Sequence, residues 1–129
     1  MIRNAEIYLN DLPSVRGKAV LTETSTAVMF STEAGRYYVT LSANEIKIAL
    51  SGEVGYTLTL ARGRTTGLSL ETNGLHSYPL DVETRELLVE KLNDRISARA
   101  AYSVENGDEE VEEHEFYLRC VFTNPVAAE

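Results

Sequence analysis

The stretch that decides the fold runs from Leu58 to Leu92 and reads LTLARGRTTGLSLETNGLHSYPLDVETRELLVEKL. Most of its apolar residues fall at even positions, and short turn sequences interrupt them. Successive side chains of a β-strand point to opposite faces of a sheet, so this alternation is typical of strands with one buried and one solvated face. The even apolar positions are Leu58, Leu60, Leu68, Leu70, Tyr78, Leu80 and Val82. The stretch therefore predicts a β-sheet protein.

The segment from Asp81 onward allows two interpretations. It reads DVETRELLVEKLNDRI, which is rich in helix formers and can be drawn as a helix capped by Asp81. Against a helix, four apolar residues keep the even parity of the preceding strands, and Asn93-Asp94 offers a turn into a next strand. These four residues are Leu80, Val82, Leu88 and Leu92. Periodicity alone leaves both interpretations open.

The rest of the chain shows the same alternation, with turn signals about every ten residues. Odd positions are apolar from Ala5 to Leu9. The run from Lys18 to Ser31 has its β-branched and apolar residues at even positions, as one long bent strand or two short ones. The alternating runs Ile96 to Val104 and Phe116 to Phe122 are separated by Asn106-Gly107, a pair that favours tight hairpin turns. We expect a terminal hairpin whose alternating residues face inward, with the acidic run from residue 109 to 113 at its tip.

Size and composition indicate one soluble globular domain. A chain of 129 residues with 43% hydrophobic residues is long enough to bury one core and short for two, so we expect a single β-barrel domain over residues 1–129 with a frayed tail from about residue 123. Its apolar runs are shorter than a membrane span, and its start does not resemble a signal peptide. Cys120 has no intramolecular cysteine partner, which fits a reducing compartment. We therefore expect a cytoplasmic protein.

Charge narrows the classes of partner. Twenty acidic and twelve basic residues give a net charge of −8, and this field repels phosphate backbones and anionic lipid headgroups. We expect neither nucleic acid nor a membrane as partner, and the sequence identifies no protein partner.

Several blocks of the chain carry a resemblance to a known family. They include Gly63, Arg64 and Gly67, the Glu71-Thr72 pair that leads to Gly74, and the run from Pro79 to Thr84. Further matches in the GKAVLTETSTAVMFSTEAGRYYVTLS block are Gly17, Glu23, Gly35 and the Tyr37-Tyr38 pair. The chain resembles the YwiB-like family of uncharacterised bacterial proteins, which are described as calycin-like, or lipocalin-like, β-barrels.

This resemblance implies an all-β fold, an antiparallel meander closing into a small calycin-like (lipocalin-like) barrel of about eight strands. It also favours strand for Leu80 to Leu92. The family has no assigned catalytic residues, so the resemblance implies no activity.

Three features of the sequence contain residue types that chemical sites use. The acidic run with His114 has carboxylates and an imidazole that suit divalent ions, but its spacing favours a solvated hairpin loop over a metal site. The stretch from Arg62 to Gly67 has the composition of an anion site but lacks the strand-to-helix context of a phosphate loop, so a turn is favoured. Cys120 lies among apolar strand residues, where a thiol is inert. We therefore predict no metal, no cofactor and no catalytic residue.

The function predicted from these features is non-catalytic binding of a small apolar or amphipathic ligand in the barrel. Seven tyrosines supply large amphipathic rings of the kind that line ligand cavities. Tyr56, His76 and Tyr78 share the even parity of the core, and Arg64 lies in a neighbouring turn, so these four residues are the predicted ligand-binding site. The alternative is a protein-protein interaction or scaffold module with a packed interior. An enzyme is a third class, which no motif supports.

Overall fold

The computed structural model describes residues 1–72, 75–76, 79–105 and 111–123, and of His76 the backbone. In these ranges every regular element is a β-strand. The strands are β1 (Ile2–Leu9), β2 (Val15–Leu21), β3 (Ser25–Thr32), β4 (Gly35–Ser42), β5 (Glu45–Ser51), β6 (Val54–Ala61), β7 (Thr65–Thr72), β8 (Leu75–His76), β9 (Leu80–Lys91), β10 (Arg95–Glu105) and β11 (Val111–Phe122). None of the described ranges contains a helix with the length and apolar character needed to cross a membrane.

The strands form a closed ring of hydrogen-bonded neighbours. Following the sheet, the order is β6-β5-β4-β3-β2-β1-β11-β10-β9-β7, and a further pairing of β6 with β7 closes it. Every strand pairing is antiparallel, and the two-residue β8 pairs with β7 outside the ring. The predicted all-β antiparallel meander is therefore confirmed. Within the described residues the ring contains ten strands rather than the expected number of about eight.

The ring interior is the hydrophobic core, and the terminal hairpin shows how alternation builds it. The register pairs Ile96 with Cys120, Ala98 with Leu118 and Ala100 with Phe116, and the inward side chains of both strands are buried or packed against the core. The predicted inward parity of this hairpin is confirmed. Its predicted turn at Asn106-Gly107 and the tip around Glu109 and Glu110 lie outside the described residues.

The contested segment is a strand. Strand β9 covers Leu80–Lys91, which confirms the strand interpretation over the helix. The expected even parity is wrong in its second half, where Leu88 is 53% exposed and Leu92, just past the strand, is 50% exposed. A β-bulge causes the change: Ala101 of β10 pairs with Glu86 and Tyr102 pairs with Thr84, so Arg85 is an extra residue. Past the bulge the odd residues, Leu87 and Val89, pack against the core instead.

The run from residue 18 to 31 is divided between β2 and β3, and its single parity is also wrong. In β3 the even residues Val28 and Phe30 are buried as expected, but in β2 the buried residue is Ala19 and not Val20. The register pairs Ala19 with Val28. Because directly paired residues share a face of the sheet, odd positions of β2 must point inward with even positions of β3.

Candidate functional site at the tyrosine end of the ring

The two ends of the ring carry different inward side chains. One cross-strand row, Tyr37, Leu50 and Tyr56 of β4, β5 and β6, lies near the β3–β4 and β5–β6 turns, and we call this end the tyrosine end. The corresponding row at the other end consists of Leu41, Ile46 and Leu60, and we call this the sealed end. Side chains alternate between the two faces along each of these strands. Residues of one parity therefore point inward from one end of the strand to the other.

Three tyrosines from distant parts of the chain converge inside the tyrosine end. The ring of Tyr37 stacks on that of Phe30, with centroids 4.8 Å apart and planes inclined by 9°. The Tyr37 phenol lies close to that of Tyr56, and Tyr102 of β10 is near enough to act electrostatically on Tyr56. The site therefore combines stacked apolar rings with hydroxyl groups.

The environment keeps the phenols of Tyr56 and Tyr102 protonated. Burial is the largest cause that raises the pKa of Tyr56 above its ordinary value, followed by the nearby phenols of Tyr37 and Tyr102. Burial also raises the pKa of Tyr102. A phenol with a raised pKa is a hydrogen-bond donor and acceptor near neutral pH and is unsuited to act as a base.

His114 lies at the rim of the same end. Its imidazole stacks on Tyr102, its register partner in β10, with centroids 5.5 Å apart. Its Nε2 atom lies 3.5 Å from a carboxylate oxygen of Glu112, and both side chains are about half exposed to solvent. His114 thus adds a polar, titratable group at the edge of the tyrosine cluster.

Packing is looser at the tyrosine end on the side formed by β7 and β9. Leu70, the register partner of Tyr56, is 39% exposed. Leu68 and Leu80 are only partly buried, although both pack against the core. No residue of β7 is fully buried. The inward side chains here are accessible from solvent.

The sealed end is closed by aliphatic side chains and one arginine. Leu41, Ile46 and Leu60 are at most 1% exposed. Arg3, 7% exposed, places its guanidinium 4.3 Å from the ring centroid of Phe122 and donates a 3.3 Å hydrogen bond to a backbone carbonyl. That carbonyl belongs to Asn93.

The only cysteine is also at the sealed end and is a poor nucleophile. Burial raises the pKa of the Cys120 thiol to about 12, and the nearby Arg3 guanidinium opposes this shift only in part. A buried thiol with a raised pKa is protonated and unreactive near neutral pH. This is the outcome expected from its position among apolar strand residues.

Three of the four sequence-predicted site residues lie among the described residues, and these three divide between the two ends. Tyr56 lies at the tyrosine end, and the backbone of His76 in β8 pairs with Glu71, the neighbour of Gly55, at the same end. Tyr78 lies outside the described residues. Arg64 is at the sealed end, because it follows the opposite end of β6, about 17 Å along that strand from Tyr56 at about 3.3 Å per residue.

Arg64 has a different environment from Tyr56. Its guanidinium forms an ion pair with Glu45, and it lines an exposed groove of about 300 Å³ together with Thr65 and Glu83. Its charge is therefore already compensated. The structure does not bring Arg64 together with the tyrosines, and it brings in Tyr37, Tyr102 and His114, which the sequence reasoning did not assign to the site.

The comparisons with known proteins concern the fold. No family model matches the sequence, and no curated protein matches it. The structure is similar to the crystal structure of the ywiB protein from Bacillus subtilis, with a TM-score of 0.70 over 95% of this chain and 91% of that chain. The two sequences are 13% identical. The chain therefore has a YwiB-like fold, and the likeness extends to the fold alone.

Proposed function

We propose that the protein binds a small apolar or amphipathic molecule at the tyrosine end of the ring and does not transform it. The observation that carries this proposal is the contrast between the ends. Aliphatic side chains close the sealed end, whereas Tyr37, Tyr56 and Tyr102 converge at an end where Leu70 is exposed. The ring itself is of the calycin-like, lipocalin-like barrel type, an assignment supported by the sequence resemblance and by the closed pairing of β6 with β7.

The chemistry of the tyrosine end supports recognition of an amphipathic molecule. The rings of Phe30 and Tyr37 and the side chain of Leu50 provide apolar walls, which supply affinity in most ligand sites. The hydroxyl groups of Tyr56 and Tyr102 provide a few polar contacts, which orient a headgroup. At about 0.3 kcal/mol per atom, a ligand of about twenty heavy atoms reaches a dissociation constant of the order of tens of micromolar.

Further residues belong to the proposed site besides the tyrosines. His114 stacks on Tyr102 and is about half exposed to solvent. His76, whose backbone pairs with Glu71 at this end, and Tyr78, which lies outside the described residues, stay in the proposal, whereas Arg64 is left out of it. The raised pKa values of Tyr56 and Tyr102 make these two phenols poor bases near neutral pH, which supports binding without turnover.

The proposal is tested by thermal shift with a series of fatty acids and detergents of increasing chain length. We expect a rise in melting temperature with dodecanoate-like probes. Tyr56→Phe, which removes one buried hydroxyl and keeps the ring, is expected to weaken binding by about twofold to tenfold, the value of one hydrogen bond. The matched control is Tyr38→Phe, because Tyr38 is on the outer face of β4 beside Tyr37 and is exposed. Equal losses in the two variants, or no shift with any probe, would contradict the proposal.

The second candidate function is a protein-protein interaction or scaffold module with a packed interior. One observation favours it: two large apolar side chains, Leu88 and Tyr117, are exposed in a groove on the outer face of the ring. Exposed apolar and aromatic groups in a concave surface are characteristic of interaction sites. The two tyrosine variants separate the two candidates, because an interaction module with a packed interior gives either no shift or a shift that Tyr56→Phe and Tyr38→Phe change equally.

A further inference from the structure

A concavity lies on the outer face of β9, β10 and β11. Its volume is about 780 Å³, compared with about 500 and 300 Å³ for two other concavities among the described residues. It is a groove open to solvent, on the opposite side of the sheet from the core. It is therefore a separate feature from the tyrosine end.

Two features of the sequence create this groove. Ala101 is the outward residue of β10 at its centre, and its register partners on either side are the longer Glu86 and Glu115. The bulge of β9 places the extra residue Arg85 on the same outer face, where it forms an ion pair with Glu113. A β-bulge redirects a side chain and twists its strand, and bulges are over-represented near functional sites.

The groove has an apolar side next to Ala101. In the adjacent cross-strand row, Leu88 and Tyr117 flank Arg99. Leu88 is 53% and Tyr117 is 37% exposed. Tyrosine and arginine are enriched among the residues that dominate binding energy in protein interfaces.

Three arginines line the groove, although the chain carries a net charge of −8. Arg62 lines the groove because its backbone, just after β6, pairs with that of Thr84, next to the bulge. Arg85 is paired with Glu113, but Arg62 and Arg99 have no ion pair with any other described residue. Two guanidinium groups that lack an ion pair among the described residues, beside an apolar surface, are suited to binding carboxylates.

We propose that this groove binds an extended peptide segment of a partner protein in which acidic side chains flank an apolar one. The acidic side chains pair with Arg62 and Arg99. The apolar side chain lies over Ala101 and against Leu88 and Tyr117, where a carboxylate would face the like charges of Glu86 and Glu115. The proposed order of acidic and apolar side chains in the peptide follows from where the arginines and glutamates of the groove lie around Ala101.

The shape and charge of the groove favour a peptide over other ligands. Small molecules bind mostly in enclosed pockets that cover most of their surface, whereas this groove is open along three strands. Single-stranded nucleic acid also uses arginine and tyrosine, but it carries a negative charge at every nucleotide, whereas Glu86 and Glu115 in the groove leave favourable positions only for separated negative charges. The proposal is independent of whether a ligand binds at the tyrosine end.

The test measures fluorescence anisotropy of a labelled decapeptide that alternates glutamate with leucine, titrated with the full chain. Three proteins are compared: the unmodified chain, Arg99→Glu, and the control Arg36→Glu. Arg36 is exposed on β4, away from the groove, and its substitution changes the net charge by the same amount. Urea unfolding of each variant checks that the fold is retained.

We expect saturable binding that Arg99→Glu weakens at least tenfold and Arg36→Glu changes less than twofold. A peptide with lysine in place of glutamate, and an oligothymidylate probe, are expected to bind at least tenfold more weakly. Absence of binding, equal losses in the two variants, or preference for the lysine peptide would overturn the proposal. Preference for the oligothymidylate would also overturn it and would indicate a nucleic-acid surface.

Discussion

The sealed end and the tyrosine end are built from opposite ends of the same strands and differ in how they are filled. At the sealed end, the aliphatic row of Leu41, Ile46 and Leu60 excludes solvent almost completely. At the tyrosine end, the corresponding row contains Tyr37 and Tyr56, and its neighbour Leu70 is partly exposed. One closed sheet thus has one end that excludes solvent and one end with accessible aromatic and polar side chains.

The difference between the ends shows how the type of inward side chain determines the polarity of the ring interior. Leucine and isoleucine have no polar atoms, so they can fill the interior without hydrogen-bond partners. A tyrosine fills as much space but brings a hydroxyl group that needs a partner when it is buried. The Tyr56 phenol lies near those of Tyr37 and Tyr102, so this end has polar groups where the aliphatic row of the sealed end has none.

The largest effect is expected from truncating matched leucines at the two ends. Leu60→Ala removes a side chain with no exposed surface and should lower the free energy of unfolding by about 2 to 5 kcal/mol. Leu70→Ala makes the same change at a 39% exposed inward position and should cost about 1 kcal/mol or less. Urea unfolding measures both. Equal losses would show that the two ends are packed alike.

A second comparison concerns close packing beside Phe30, the register partner of Tyr37. Gly17 is the register partner of Phe30, and an added Cβ atom would collide with Ile7, with the backbone oxygen of Met29, and with the Phe30 Cβ atom at 2.9 Å. Gly17→Ala should therefore destabilise the protein by about 1 to 3 kcal/mol through overpacking.

The matched control for this substitution is Gly67→Ala. At Gly67 the nearest atom to an added Cβ, in Pro79, is 3.7 Å away, which is an ordinary contact. We expect Gly67→Ala to be neutral or slightly stabilising, because alanine restricts the unfolded chain. Thermal or urea unfolding distinguishes the two variants, and a stable Gly17→Ala protein would mean that this part of the ring has spare room.

A smaller effect is expected at alkaline pH. The pKa of Tyr56 is raised in the folded state above its ordinary value of 10.0, so the folded protein holds this proton more tightly than the unfolded chain. The resulting stability is fully present below pH 10.0 and is lost as the pH rises through the folded pKa, by up to about 1.4 kcal/mol per pH unit. Cys120 and Tyr102 contribute with the same sign.

Tyr56→Phe should therefore make the unfolding free energy fall less steeply above pH 10.0 than in the unmodified protein. Tyr38→Phe, on the outer face, should keep the unmodified slope. Urea unfolding at a series of alkaline pH values measures the slopes. A Tyr56→Phe slope equal to that of Tyr38→Phe would mean that Tyr56 is solvated like a surface tyrosine.

Much of the fold could be predicted from the sequence because alternation is a local signal. The strands of the terminal hairpin and the inward parity of Ile96 and Phe116 follow from period-two patterns. The strand at Leu80–Lys91 needed the family resemblance as well, because the helix propensity of this segment is high. Tertiary pairing with β7 and β10 overrides that propensity.

The two errors in predicted inward parity, in β9 and in the run from residue 18 to 31, have the same physical origin. In each case one residue more or fewer, within a strand or in the turn between two strands, changes which face the next side chains point to. One extra residue at Arg85 moves every later side chain of β9 to the other face, so Leu87 packs inward and Leu88 points outward. A bulge at an arginine among charged residues leaves no local signature. The same holds for the turn before β3, which pairs Ala19 rather than Val20 with Val28.

The candidate site was predicted only in part because it depends on ring closure. Tyr56 was assigned from its parity, but Tyr102 meets it only when β10 and β6 lie across the same interior, a contact between residues far apart in sequence. Arg64 was assigned from its nearness in sequence, although turns of a meander alternate between the two ends. Counting turns from Tyr56 places Arg64 at the opposite end.

The most direct test of the two-ended description is nuclear magnetic resonance mapping of an added fatty acid on the uniformly labelled full chain. We predict saturable chemical-shift changes at Tyr37, Tyr56 and Tyr102, with the signals of Leu41 and Leu60 unchanged. The measurement reads each end directly and needs no substitution. Changes at the sealed end, changes confined to the outer face, or no changes at dodecanoate concentrations up to the millimolar range would contradict a binding site at the tyrosine end.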